Sequence, residues 1–444
     1  MKRNICLALA GLLGLLTACS KKDSGLKPVS VTVKLSIAAE MGEMAIPYKG
    51  AVITISNLTT GQSYKDSLTE EKDQATFSSV VPGSYDVAVH LQVSAEDYEA
   101  VTGIRADGSV FFSGSANAQS AVADQNTITV GLRTGSGEGN WVIKQIYYAG
   151  SDNKDGALFR DQFIELYNNS AEVLYADSLY ICQVEGVNTA MEKIDLTEPY
   201  YLPTGQWDWT KSPGMADANA NTDYIYADAL FRIPGNGTTY PVQPGKSIII
   251  AATAINHKAP YIGVNGKEIT VRNPDLTVDL SHADFDVYMG DQPGVNPLAS
   301  DMNTNKTHLA VILNSNRDLV LDNPGREAVL IFKSGADITT WGAFKTPDNL
   351  TSGKLRLQMP KSAMNIFDIV EIQPTEQTKR CPKRVSLDLD AGFNYVTNGS
   401  YSSQALIRKT QKTEGGRIVL QDTNNSSIDF VTIHADPSGN AFAQ

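Results

Sequence analysis

A two-residue alternation is the strongest constraint in this chain. Val29, Val31, Val33, Leu35 and Ile37 alternate with Ser30, Thr32, Lys34 and Ser36, and a period of two puts each set on its own face of an extended strand. Such a strand is half-buried and needs a sheet with one apolar side. The run Ala51-Val52-Ile53-Thr54-Ile55, the run Ala75-Thr76-Phe77, and Tyr85, Val87, Val89 and Leu91 continue the theme. Turn residues separate these runs: Thr60-Gly61, Asp107-Gly108, and Pro82-Gly83, where Pro presets one turn dihedral and Gly supplies the positive one. With a last run from Thr127 to Leu132, about seven short strands over residues 29–134 predict a small antiparallel sandwich and no helix.

Gly135-Ser136-Gly137-Glu138-Gly139 follows. A Gly-rich phosphate loop would have to lead into a helix, but Trp141-Val142-Ile143 reads as a strand, so residues 135–140 are expected to be a linker. Beyond it, strands are expected at Trp141 to Tyr148, Phe163 to Asn169, Leu179 to Cys182, and Ser247 to Ala251 after Pro244-Gly245. Others are expected at Asp318 to Leu321, Ala328 to Phe332, Ile366 to Ile372, Arg417 to Leu420 and Ile428 to Ile433. The fold class expected is all-β: a small sandwich, then a larger one over 141–444 with long insertions near 183–224 and 266–317.

Several stretches resemble known families. The segment from Lys49 to Val89, with its GAVITISN strand and VPGSYDVAV ending, resembles the carboxypeptidase-regulatory or transthyretin-like sandwich, a spacer in bacterial surface proteins. FIELYNNS, VQPGKSIIIA and the closing SYSSQALIRKT resemble the lamin-tail domain, which implies an immunoglobulin-like sandwich. LFRIPGNGTTYPVQPGKS, DLSHADFDVY and DTNNSSIDFV resemble an uncharacterised family of Bacteroidota lipoproteins with no established activity.

The N-terminus places the chain. Lys2 and Arg3 precede an apolar run from Ile5 to Leu16, which has signal-peptide length and is too short to span a bilayer. Leu16-Thr17-Ala18-Cys19 resembles a bacterial lipobox, which implies cleavage after residue 18 and acylation of Cys19. A single chain anchors only marginally, whereas two or three make a stable tether. Residues 19–28 then form a leash to an outer-membrane protein, and both the periplasmic and the cell-surface leaflet stay open.

The formal charge of the 444 residues is -12, and loss of Lys2 and Arg3 takes it to -14. That sign argues against nucleic acid or an anionic membrane surface as a partner. Cys6 leaves with the leader and Cys19 is committed to lipid, so Cys182 and Cys381 remain in an oxidising compartment. A disulfide between them and two separate thiols are both compatible with the sequence.

Candidate chemistry is sparse. Asp217, Asn219, Asn221, Asp223 and Asp228 have the 1, 3, 5, 7 and 12 oxygen spacing of a calcium loop, although Thr222 stands where the turn Gly belongs. Asp301, Asn303 and Asn305 repeat the first half. Asp279, His282, Asp284, Asp286 and Asp291 form the densest set of potential ligands, more simply read as a solvent-facing strand edge. Trp207 and Trp209 would share a face if extended, near Tyr200 and Tyr201, either as a platform for sugars or protein or as a plug against the sandwich. Lys379-Arg380-Cys381-Pro382-Lys383-Arg384 is a basic island, most simply a solvated loop. Asp66-Ser67-Leu68 and Asp177-Ser178-Leu179 resemble the O-glycosylation signal of this phylum.

No Gly-x-Ser-x-Gly, His-Glu-x-x-His or P-loop sequence occurs, so the expectation is a protein that binds and does not catalyse. Docking as an accessory subunit on an outer-membrane uptake receptor is the first reading. Glycan or small-ligand capture is the alternative, and an extracytoplasmic hydrolase with an unrecognised site is a third.

Overall fold

The computed structural model describes residues 27–38, 45–58, 60–103, 110–135, 141–314, 316–349 and 354–443. The leader with Cys19, the tether up to residue 26, the Asp107-Gly108 turn and linker residues 136–140 lie outside the described residues. Strands dominate, as the alternation dictates, and among the described residues no helix is long and apolar enough to cross a membrane.

The first sheet contains β1 (Val29–Ile37), β2 (Val52–Asn57), β3 (Ser63–Ser67), β4 (Gln74–Val80), β5 (Gly83–Val93), β6 (Val110–Ala121) and β7 (Gln125–Gly135). Their order is β3-β2-β5-β6-β7-β1-β4. Val31, Val33, Ile53, Ile55 and Val89 of the inward set are fully buried, and Ile37 at the end of β1 is partly so. Two features depart from the sequence reading. β1 and β7 pair in parallel from Ser30 opposite Gln125 to Ile37 opposite Leu132. A helix, α1 (Ala95–Thr102), follows β5. Its signal was present: Ser94 caps the Asp97 N–H, Asp97 sits three residues on, and Gly103 ends it at φ 71, where a Cβ would be strained.

The second body is two facing sheets. One runs from Phe430–His434 through Gln404–Arg408, β8 (Trp141–Tyr147), β9 (Phe163–Asn168), Ser247–Ala251 and Phe285–Asp286 to Thr307–His308. The other orders Ala343–Phe344, Arg356–Pro360, Tyr224–Arg232, Tyr180–Val184, Glu327–Lys333 and Asn365–Ile372, and Ala310–Asn314 also pairs with Tyr224–Arg232. Ile143, Ile164, Ile250, Ile181, Phe231 and Ile331 meet between the sheets. Alternate residues of the second sheet, Tyr180, Cys182, Leu330 and Phe332, form another core on its far side. Burial on both faces explains why these strands read as continuous apolar runs.

The segment 318–321 is not a strand; the strand lies earlier, at Ala310–Asn314. Leu319 and Leu321 are still buried, and the Gln162 side chain replaces a ladder partner, accepting from the Leu321 N–H and donating to its C=O, both at 2.9 Å. Residues 428–429 belong to a short helical turn, Ser426–Asp429, and the closing strand starts at Phe430.

Candidate functional site

The residues from Glu376 to Asn394 decide how the two bodies meet. The basic island is not a solvated loop. Arg380 crosses to the first sandwich and pairs with Asp86 at 2.9 Å, while its guanidinium lies over the rings of Phe393 and Tyr395. Stacking and ion pairing together hold the planar guanidinium in one orientation. Lys383 reaches the buried Glu371 at 3.3 Å, and Arg384 donates to the Val184 carbonyl. Glu371 also accepts from the Arg384 backbone N–H at 2.8 Å, so one enclosed carboxylate holds the Lys383 ammonium and the backbone of the next residue. Lys379 alone faces water, beside Glu376. Gln377 donates to Ser84 at 3.2 Å, and Ser113 to the Thr423 carbonyl at 2.7 Å, adding contacts between the bodies.

Beside this pin opens a cleft of about 1260 Å³. β6 supplies one wall, through Ser115 to Gln119, and Pro382, Val385, Leu387 and Phe393 supply much of the other. Met191, on the insertion after Tyr180–Val184, completes the apolar part. Met191 and Leu387 are 38% and 40% exposed, unusual for large apolar side chains lining a concavity unless something covers them.

A smaller pocket of about 120 Å³ shares Gln206, Lys383, Val385 and Ser386 with the cleft. The aromatic insertion makes its rim. Trp209 is buried and stacks on Tyr226 with ring centroids 3.5 Å apart. Trp207 is half-buried, stacks on Tyr201 at 5.2 Å, and directs its indole N–H at Glu185 at 3.4 Å; Tyr200 meets Tyr201 edge-on. The two indoles therefore do not form one platform. Asp208 caps the turn that follows and accepts from Asn221, which rotates Trp209 inward and leaves Trp207 at the surface.

The calcium-spaced oxygens are not brought together. Asp217 accepts from the Tyr224 hydroxyl at 2.6 Å, Asn221 from the Trp209 N–H at 2.7 Å, and Asp223 from Thr222. Asn219 gives its N–H to Asp217. Strand Tyr224–Arg232 starts inside the twelve-residue span and carries Asp228 away along an extended backbone to Arg356, 3.3 Å from it. A calcium loop must instead curl back on one point. The set around His282 also disperses: His282 meets the Pro437 carbonyl, Asp284 the Ile249 N–H, and Asp279 the Ser281 N–H. Asp286 instead pairs with His308 at 2.6 Å, a partnership that no spacing announced. Among the described residues no group of three His, Cys, Asp or Glu side chains is placed to hold a metal ion. Cys182 and Cys381 are both free thiols, and burial raises the pKa of each. Ser67 is exposed on β3, whereas Ser178 is half-buried.

Buried carboxylates are many but turned inward. Burial lifts Glu327 to about 8 even with Gln183 donating to it, and lifts Asp161 to about 6 despite its bonds to Tyr147 and Thr277. Neither lines the cleft.

A family model described as Protein of unknown function (DUF4876) matches residues 243–438. The crystal structure of a DUF4876 family protein from Bacteroides thetaiotaomicron aligns over 94% of this chain and 98% of that one, at 23% identity and a TM-score of 0.52. That likeness establishes a shared fold. A protein provisionally described as carbohydrate binding from Bacteroides uniformis aligns over 51% of this chain and 99% of its own, at 13% identity and a TM-score of 0.16. A provisionally described cell adhesion protein from Bacteroides eggerthii aligns over 51% of this chain and 80% of its own, at 11% identity and a TM-score of 0.17. Scores this low carry no argument. No curated protein matches the sequence.

Proposed function

We propose that this is a lipid-anchored, noncatalytic binding protein of the outer membrane, serving as the partner-binding subunit of an uptake system. Its ligand or partner seats in the cleft between the two sandwiches. The observation that carries the reading is the cleft itself: about 1260 Å³, walled by both bodies, with Met191 and Leu387 exposed at its side. Sites at the junction of two domains are a common place for recognition. The acidic groups with raised pKa values support binding over catalysis, because Glu327 and Asp161 are held by internal hydrogen bonds away from the cleft. The Cys19 tether and the leash after it would keep such a subunit beside a membrane receptor.

Glycan capture is the second reading, and the half-buried Trp207 is what favours it. A stacked indole beside Glu185, Lys361 and Arg384 offers an apolar face with charged hydrogen-bonding groups, the combination that sugars use. The two readings separate in one experiment. Full-length lipoprotein is crosslinked mildly in native membranes and purified as wild type, Leu387→Glu and Trp207→Ala, and everything retained is identified by mass spectrometry. A receptor held by wild type and lost from Leu387→Glu supports the first reading. A glycan lost only from Trp207→Ala supports the second. Equal retention by all three contradicts both.

A further inference from the structure

A second cavity, of about 490 Å³, lies between the sandwiches on the side of β2 and β5. Small-molecule sites span roughly 300–1,000 Å³, and this one falls inside that range. Thr54, Lys65 and His90 line it from the first body, and Tyr395, Lys409 and Gln421 from the second. It adjoins the cleft, sharing Asn117 and Phe393 with it, but Lys65, His90 and Lys409 lie outside the cleft, and nothing said of it depends on what the cleft binds.

Its charge runs against that of the chain. The protein carries a formal -12, yet three basic side chains converge here. Burial lowers the pKa of His90, and the charges of Lys409 and Lys65 lower it further. Lys409 is likewise held below the usual lysine range by burial and by Lys65, against the pull of Asp429. Two lysines and a histidine are thus within electrostatic reach of one another. The carboxylate that does reach the cavity, Asp86, is occupied by Arg380. Asp429 serves Arg408 and the Thr423 N–H as well as lying near Lys409. Lys65 has no ion pair to a described residue.

A second observation is independent of charge. His90 Nδ1 is buried and has no hydrogen-bond partner among the described residues. An orphaned buried polar atom destabilises a fold, which tolerates it where a ligand or water completes it. The rest of the wall is rich in neutral hydrogen-bonding groups, among them Thr54, Gln421 and Asn117.

We propose that this cavity binds a small hydroxylated anion: one carboxylate or phosphate group carried on a sugar-sized polyol. The anionic group lies among Lys65, Lys409 and His90, accepts from His90 Nδ1 and relieves the repulsion between the basic groups. The hydroxyls of the ligand meet Thr54 and Gln421.

The test is isothermal titration calorimetry at low salt on the whole mature chain, with glucuronate, glucose 6-phosphate and neutral glucose. Saturable binding of either anion without binding of glucose is expected, and which anion binds identifies a sugar acid or a sugar phosphate. Lys65→Met removes an exposed side chain, so its thermal midpoint should match wild type while its affinity falls at least about tenfold. His90→Gln should weaken binding as well, whereas Lys379→Met, outside the cavity, should bind like wild type. No saturable heat with either anion, or wild-type affinity in Lys65→Met, would overturn the proposal.

Discussion

Arg408 is fully enclosed and shared among three carboxylates. Its guanidinium pairs with Asp368, reaches Asp422 at 3.4 Å and Asp429 at 3.3 Å, donates to the Ile143 carbonyl, and lies over the Phe430 ring. Removing one partner of such a group leaves the others buried without compensation, so Arg408→Met should cost about 3–5 kcal/mol in urea denaturation. Glu327 makes a different prediction. Burial raises it from 4.5 to about 8, so between those values the native state keeps a proton that the unfolded chain has lost. The stability it contributes is complete below pH 4.5 and lost as pH rises through 8. The urea midpoint should therefore fall between pH 5 and pH 9, and Glu327→Gln should flatten part of that fall. An unchanged slope in the variant would mean that Glu327 is ionised in the native protein. The two thiols give a simpler outcome. Cys182 and Cys381 are buried and form no disulfide among the described residues, so a chain beginning at Ser20, without leader or Cys19, should titrate two thiols after unfolding and react slowly before it.

At the scale of elements, the aromatic insertion divides into a structural half and an exposed half. Trp209 fills a small core with Ala220 and Tyr226, so Trp209→Ala should destabilise by about 3–5 kcal/mol. Trp207→Ala should cost far less, because its ring is already half in water, and should alter binding instead. Calorimetric melting of the two variants separates these roles, and similar losses in both would refute the division. The sequence pattern could not assign them. Two tryptophans one residue apart share a face only in an extended strand, and here Asp208 begins a tight turn. Strands themselves were far more legible. The alternation in β1 and the β-branched runs at Ser247–Ala251 and Glu327–Lys333 announce themselves, since burial of one face or both leaves a periodic trace. Helix α1 leaves no apolar stripe because its eight residues bury only Tyr98, and Ser94, Asp97 and Gly103 are its only local marks. The parallel pairing of β1 with β7 left no trace at all, since residues 95 positions apart reveal nothing to a local pattern.

At the scale of the whole molecule, the contacts between the sandwiches were the least legible part. The island from Lys379 to Arg384 looked like a solvated charge run, and only the fold brings Asp86, Phe393, Tyr395 and Glu371 to meet it. That junction builds both the cleft and the anion cavity, so the site belongs to the assembly of the two bodies and to neither one alone. Most of the cleft is apolar, and Leu387 is its most exposed large apolar side chain. The most direct test of the cleft as the binding surface is a photoreactive amino acid placed at Leu387 in living cells, with the same probe at Ile262 as comparison. Ile262 is 56% exposed and lies outside the cleft. A cleft that seats one partner predicts a discrete crosslinked product from position 387 and none like it from 262. Identical products from both positions, or none from 387 in cells that carry the intact membrane, would contradict it.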